Sequence, residues 1–180
     1  MRTTMTSGFI FLLMAFTVSS AYGQESPYVG LEERPIKALS QGQVDEYLKG
    51  HGMGLALAAE LNGYPGPKHV LELARDLDLA ASQVQQVQEI FDAMHVEAVA
   101  LGEQIIEFER ELDDLFRAGK IDDVSLERNL ANLGVTQGEL RRVHLAAHLR
   151  TKALLSADQI DRYSRARGYD SVHHPQEHGP

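Results

Sequence analysis

The stretch Val84–Leu115, "VQQVQEIFDAMHVEAVALGEQIIEFERELDDL", decides the fold class. Its apolar residues Val84, Val87, Phe91, Met94, Ala98, Leu101, Ile105, Phe108, Leu112 and Leu115 alternate steps of three and four without a break. Only an α-helix brings such positions onto one stripe, and on one helix the stripe is about 48 Å long at 1.5 Å per residue. Downstream, "RAGKIDD" (Arg117–Asp123) supplies a Gly and two Asp residues, the chemistry of a helix stop and a new start. The rhythm then resumes at Leu126, Leu130, Leu133, Gln137, Leu140, His144, Ala147, Thr151 and Leu154. A short turn between two such seams predicts a long antiparallel helical hairpin.

Upstream, Val44 to Leu61 reads as one shorter helix ended by "NGYPGP", and Pro67 suits the first turn of the next. No alternating run is long enough for a strand. The expectation is an all-α protein of four helices, two short and two long.

The opening "MRTTMTSGFIFLLMAFTVSSAYGQ" has one early Arg, an apolar run of about ten residues and small residues at Ala21 and Gly23. This is the pattern of a secretory signal peptide over residues 1–23, cut after Gly23. The run is shorter than the roughly 20 residues of a membrane span, so no transmembrane segment is expected after cleavage. Residues 24–37 are expected to be a disordered segment, 38–169 the all-helical domain, and 170–180 a disordered His-containing tail, "HHPQEHGP" at its end.

The chain has no Cys, which excludes thiolate chemistry and disulfides in an exported protein. Without Arg2 the net charge is −10, set against nucleic acid and anionic membranes as partners and mildly in favour of cations. That charge is divided unevenly. Residues 68–123 carry a net −9 and residues 124–167 a net +4, so the two halves attract.

A nine-residue phrase occurs twice, as "LSQGQVDEY" (Leu39–Tyr47) and "LSADQIDRY" (Leu155–Tyr163). In each, the Ser40 or Ser156 hydroxyl can accept from the amide three residues on, while Gln43 or Gln159 reaches back. Each phrase is therefore a capping box preceded by a Leu. A third copy, "LAASQ", keeps Leu79 and Gln83, but Ala80 has lost the hydroxyl.

Such phrases at helix starts, in a Cys-free helical chain with an export signal, resemble the Spy/CpxP family of periplasmic proteins, whose motif is Leu-Thr-x-x-Gln, and their CnrX-type heavy-metal-sensing relatives. The resemblance extends from Leu39 to Tyr169 and includes "MGLALAAELNGYPGPKHVLELA" (Met53–Ala74) and "RYSRARGY" (Arg162–Tyr169). It implies a cradle-shaped antiparallel homodimer in the periplasm. Its implied activities are ATP-independent binding of unfolded or misfolded envelope proteins, restraint of a membrane sensor protein in a stress response, or transition-metal sensing.

The residues bear on that choice. His144 occupies a seam position and His148 lies one turn further on. A hairpin centred near Lys120 brings them level with Met94, His95 and Glu97, a donor set suited to zinc, nickel, cobalt or copper. A seam His is equally the pattern of a hydrogen-bonded core residue. His51, and His69 with Glu72 three residues on, are further imidazoles whose partners the spacing leaves unfixed.

For client binding, Val99, Ile106, Phe116 and Leu145 lie beside the seam, and Arg141 and Arg142 begin a basic rim. Catalytic motifs are absent: the "KGHGMG" run (Lys49–Gly54) follows no strand and is no phosphate loop. The leading expectation is a non-enzymatic exported chaperone or stress adaptor, with a periplasmic metal sensor or metal-binding resistance protein as the alternative.

Overall fold

The computed structural model describes residues 26–169, and every regular element within them is helical. The signal-peptide and tail expectations fall on residues 1–23 and 170–180, outside the described residues.

Two helices set the frame, α4 (Ala81–Arg117) and α5 (Asp123–Leu154). They run in opposite directions side by side. Gln83 at the start of α4 donates to the Leu154 carbonyl at the end of α5 (2.8 Å), and Glu111 near the end of α4 pairs with Arg128 near the start of α5 (3.3 Å). Asp122 caps α5, its carboxylate accepting from the Ser125 amide at 2.7 Å while the Ser125 hydroxyl accepts from the Asp122 amide at 3.0 Å.

All ten seam positions on α4 are buried or half-buried. On α5 the inward line departs from the expected one. Leu130 is 48% exposed and Gln137 is exposed, while Asn129 (1%) and Thr136 (6%) take the buried positions. The buried positions Asn129, Leu133, Thr136, Leu140, Val143 and Ala147 keep steps of four and three, so the inward stripe is turned toward one edge of the expected line from its first turn, with Leu133, Leu140 and Ala147 common to both. α5 runs through Gly134 and Gly138 as a single helix.

Four shorter helices pack against this pair: α1 (Gln41–Leu48), α2 (Leu57–Glu60), α3 (Pro67–Glu72) and α6 (Ala157–Ala166). Among the described residues there are six α-helices instead of four: the helix expected over Val44–Leu61 is broken in two, and α6, opened by the second capping box, is separate from α5. The break is Gly50–Gly54, where Gly50 (φ 59°), Met53 (φ 44°) and Gly54 (φ 79°) adopt left-handed conformations that no α-helix contains. α1 crosses α4 at Gly102, where an added Cβ would lie 2.5 Å from the Tyr47 carbonyl oxygen. Residues 26–37, expected to be disordered, include a 3-10 turn at Leu31–Glu33, and Ile36 is buried with Leu39 against Ile106.

Two of the three copies of the phrase, at Leu79–Gln83 and Leu155–Gln159, meet in space. α1 and α6 each begin with a complete capping box: Ser40 Oγ accepts from the Gln43 amide and Ser156 Oγ from the Gln159 amide, both at 3.2 Å. At α4 only half remains, the Ala80 amide donating to Gln83 Oε1 at 3.0 Å. The side chains of Gln83 and Gln159 then exchange amide hydrogen bonds at 3.0 and 3.1 Å, joining the start of α4 to the start of α6. Leu79 and Leu155 pack beneath them on the cluster of Val70, Leu77, Val87 and Tyr163.

Candidate functional site

The broken segment between α1 and α2 does not leave the protein; it arches over the half of the α4–α5 pair that holds the start of α4 and the end of α5, and roofs a cleft of about 410 Å³. Its walls are the 49–54 segment, Ala56, Leu57 and Glu60 of α2, residues 66–69 opening α3, Phe91, Met94 and His95 of α4, and His144 and His148 of α5. Five histidines and two methionines therefore share one cavity: His51, His69, His95, His144 and His148, with Met53 and Met94.

Glycine makes this approach possible. A Cβ on Gly50 would lie 3.0 Å from His95 Nδ1 and 3.2 Å from the His95 carbonyl oxygen, and Gly50 also needs its positive φ. A Cβ on Gly66 would lie 2.9 Å from His148 Cε1. Gly52 sits over His144, its Cβ position 3.7 Å from His144 Nδ1.

The imidazoles are held in four ways. His51 Nδ1 is bound to Glu46 Oε2 and His69 Nδ1 to Glu72 Oε2, both at 2.9 Å. His148 Nδ1 donates to the Tyr64 carbonyl at 2.7 Å. An oxygen acceptor on Nδ1 keeps the proton there and leaves Nε2 as a lone-pair donor, the arrangement that orients metal-ligating histidines. His95 stacks on Phe91 with ring centroids 5.8 Å apart.

His144 is the exception. It is 4% exposed, and its Nε2 is buried without a hydrogen-bond partner. Burial, and secondarily His148, hold its pKa below the ordinary imidazole value, so it stands in the neutral form that binds cations.

One end of the cleft is closed by Glu60, 7% exposed. Its Oε1 accepts from the Tyr163 and Tyr169 hydroxyls, the latter at 3.0 Å, and its Oε2 accepts from the Gly66 amide at 3.2 Å. Arg167 Nε approaches to 3.6 Å and His148 Nδ1 to 3.7 Å. Burial and the Glu60 carboxylate push the Tyr163 hydroxyl pKa up. This carboxylate, which ties α2, α3, α5 and α6 together, was not singled out in the sequence. Its signal was a lone acid inside the apolar run "LALAAEL" (Leu55–Leu61).

Of the expected metal donors, Met94, His95, His144 and His148 come together in the cleft. Glu97 does not: it is exposed and faces Arg142, away from the cavity. His51, His69 and Met53 line the same cavity, His51 and Met53 through the break in the first helix and His69 through the start of α3. Among the described residues, no three His, Asp or Glu side chains are grouped closely enough to chelate one ion as they stand. Within this cavity the thioethers of Met53 and Met94 are the remaining donors able to complete a set.

The expected client face does not form one surface. Ile106 is 5% exposed, covered by Ile36 and Leu39, because residues 36–39 pack onto α4. Phe116 is 57% exposed, Val99 and Leu145 are half-buried, Arg141 is exposed, and Arg142 is paired with Glu139 at 2.6 Å.

Among the described residues, no helix is long and apolar enough to cross a membrane. No family model matches the chain, and no curated protein and no solved structure matches it.

Proposed function

We propose that this chain is an exported, non-enzymatic metal-binding protein that takes a transition-metal ion into the His/Met cleft and reports or buffers it in the periplasm. The observation that carries the reading is His144: a neutral imidazole with a buried, unpartnered Nε2, on the wall of a cavity bearing four more histidines. A buried nitrogen left unpaired costs about 1–3 kcal/mol, which a purely structural position would avoid with Leu. The Nδ1 partners of His51, His69 and His148 support it, since each leaves a donor nitrogen free. An ion bound here would link the 49–54 segment to α4 and α5. That coupling of a surface segment to the helical frame is what a sensor needs to signal to a membrane partner.

The test is calorimetric titration of the chain from residue 24 onward with zinc, nickel, cobalt and copper ions, beside a His95→Ala/His144→Leu variant. Stoichiometric binding lost in the variant is expected. Absence of binding, or binding indifferent to the variant, refutes the reading.

A second reading, a Spy/CpxP-like chaperone or adaptor working as a cradle-shaped homodimer of the α4–α5 hairpin, is favoured by a different observation. Near the turn between the long helices, Phe116 (57%), Val124 (74%), Leu130 (48%) and Val135 (67%) are exposed apolar side chains. They offer a surface for a second copy or an unfolded chain. Suppression of aggregation of a denatured client, lost on Phe116→Ser/Val124→Ser, would support it; unchanged suppression would remove these residues from any client surface.

A further inference from the structure

From the donor chemistry of the cleft we infer that its preferred ion is monovalent copper, held by His144 together with the thioethers of Met94 and Met53. This rests on the metal-binding reading above and narrows it.

Carboxylates are the first consideration. Glu60 is the carboxylate lining the cleft, and both its oxygens are occupied, Oε1 by two tyrosine hydroxyls and Oε2 by the Gly66 amide. Glu46 and Glu72 are bonded to His51 and His69 at 2.9 Å and so act on imidazoles rather than on an ion. The donors the cavity offers are therefore imidazole nitrogen and sulfur, beside the ammonium groups of Lys49 and Lys68, which also line it and further disfavour a dication. With no Cys in the chain, the sulfur is thioether.

Charge follows from this. A dication placed among neutral donors on a floor that includes Phe91, Ala56 and Leu57 keeps its whole charge in a poorly solvating site. The cost of removing an ion from water rises with the square of its charge, so a monocation is penalised about one quarter as much. Thioether is a soft ligand that selects Cu(I), whereas zinc, nickel and cobalt are better served by added carboxylate or water. Cu(I) also accepts two or three ligands. It does not require the group of three His, Asp or Glu side chains that the described residues lack.

Placement of the two sulfurs completes the case. Met94 is 8% exposed and packs with Val143 and Ala147, directly beside His144 on α5. Met53 follows Gly52, which overlies His144, and it holds φ 44°, a left-handed conformation that is costly for a side chain of its size. Its side chain lines the cleft and is 38% exposed, so the thioether is reachable by an ion arriving from solvent.

The experiment uses the chain from residue 24 onward with His173, His174 and His178 changed to Ala, so that the tail contributes no imidazole. Anaerobic Cu(I) is competed against a colorimetric Cu(I) chelator, and zinc, nickel and cobalt are titrated in parallel. X-ray absorption at the copper edge then reads the bound atoms. One Cu(I) per chain with sulfur bound is expected. Met53→Leu and Met94→Leu should each weaken Cu(I) by about tenfold or more, at least what losing an outer partner of a metal ligand costs, with zinc affinity unchanged. Folding of the variants is checked by circular dichroism, and Leu preserves core volume at position 94.

Tight zinc, nickel or cobalt binding without retained Cu(I) would overturn this inference and leave the metal-binding reading intact. Cu(I) bound through nitrogen alone, or indifferent to both Met variants, would also overturn it. No metal retained at all would overturn both.

Discussion

Replacing Gly102 by Ala should destabilise the protein, although the same exchange elsewhere on the long helices should stabilise it. In a helix interior Ala is favoured over Gly by about 1 kcal/mol. At Gly134 and Gly138 nothing lies within 4 Å of the added Cβ, so Gly134→Ala and Gly138→Ala should realise most of that gain. At Gly102 the Cβ would sit 2.5 Å from the Tyr47 carbonyl oxygen, where ordinary contact begins at 3.4 Å, a shortfall of 0.9 Å against backbone that cannot rotate away. Displacing α1 disturbs Tyr47, Val44 and Leu39 together, and overpacking of this kind costs about 1–3 kcal/mol. Offsetting that by the propensity gain leaves a net loss of about 1–2 kcal/mol at the upper part of the range. Urea unfolding followed by far-ultraviolet circular dichroism measures all three variants. The expected order of midpoints is Gly134→Ala and Gly138→Ala above the parent, Gly102→Ala below. A Gly102→Ala protein as stable as the parent would refute the close approach of α1 to α4.

Three further outcomes are expected. Glu60→Leu leaves two tyrosine hydroxyls and the Gly66 amide without their acceptor, and should cost roughly 3 kcal/mol or more in denaturant unfolding at about 1–3 kcal/mol per buried orphan. His144→Leu in metal-free protein should raise stability by about 1 kcal/mol while abolishing metal uptake, the trade-off of a site kept for binding. Because the folded-state pKa of His144 is depressed, the unfolded chain takes up a proton that the native state refuses as pH falls through about 6.5. Stability of the metal-free protein should therefore drop below that pH and recover above it. A His144→Leu variant should show a shallower slope in unfolding midpoints measured from pH 5 to 8.

The frame was legible in the sequence because α4 writes its buried stripe in large apolar residues over its whole length. Turn chemistry at Gly119 and Asp122 and the boxes at Ser40 and Ser156 are equally local, and local signals survive folding. The cleft was legible only in part. His144, His148, His95 and Met94 share the two long helices, whose register is set by the turn between them. His51 and His69 were visible only as imidazoles without fixed partners, and Met53 not at all: "GHGMG" sits inside an otherwise helical pattern, and the approaches of Gly50 to His95 and of Gly66 to His148 are contacts made across the fold. Glu60 was hidden for the same reason: its partners Tyr163 and Tyr169 lie more than 100 residues away. Leu130 misled because composition favours Leu over Asn for a buried position, whereas Asn129 and Leu130 fit equally well between Leu126 and Leu133 in a three-four rhythm and the facing helix takes Asn129.

The exchange of amide bonds between Gln83 and Gln159 also bears on the order in which the molecule comes together. That joint closes a loop of 76 residues, while the turn after Arg117 closes one of a handful, and the difference in closure entropy is about 2 kcal/mol. That difference predicts that pairing of the long helices begins at the turn and zips toward the joint, with α6 docking late. The cleft residues of α4 and α5 lie in the last third of that path, nearer the joint than the turn, and the roof from Lys49 to Gly54 can settle only on a finished pair. Cation capture would accordingly act on the slowest-formed and first-lost part of the structure, and amides around His51 and Gly66 should exchange with solvent sooner than those around Ile105.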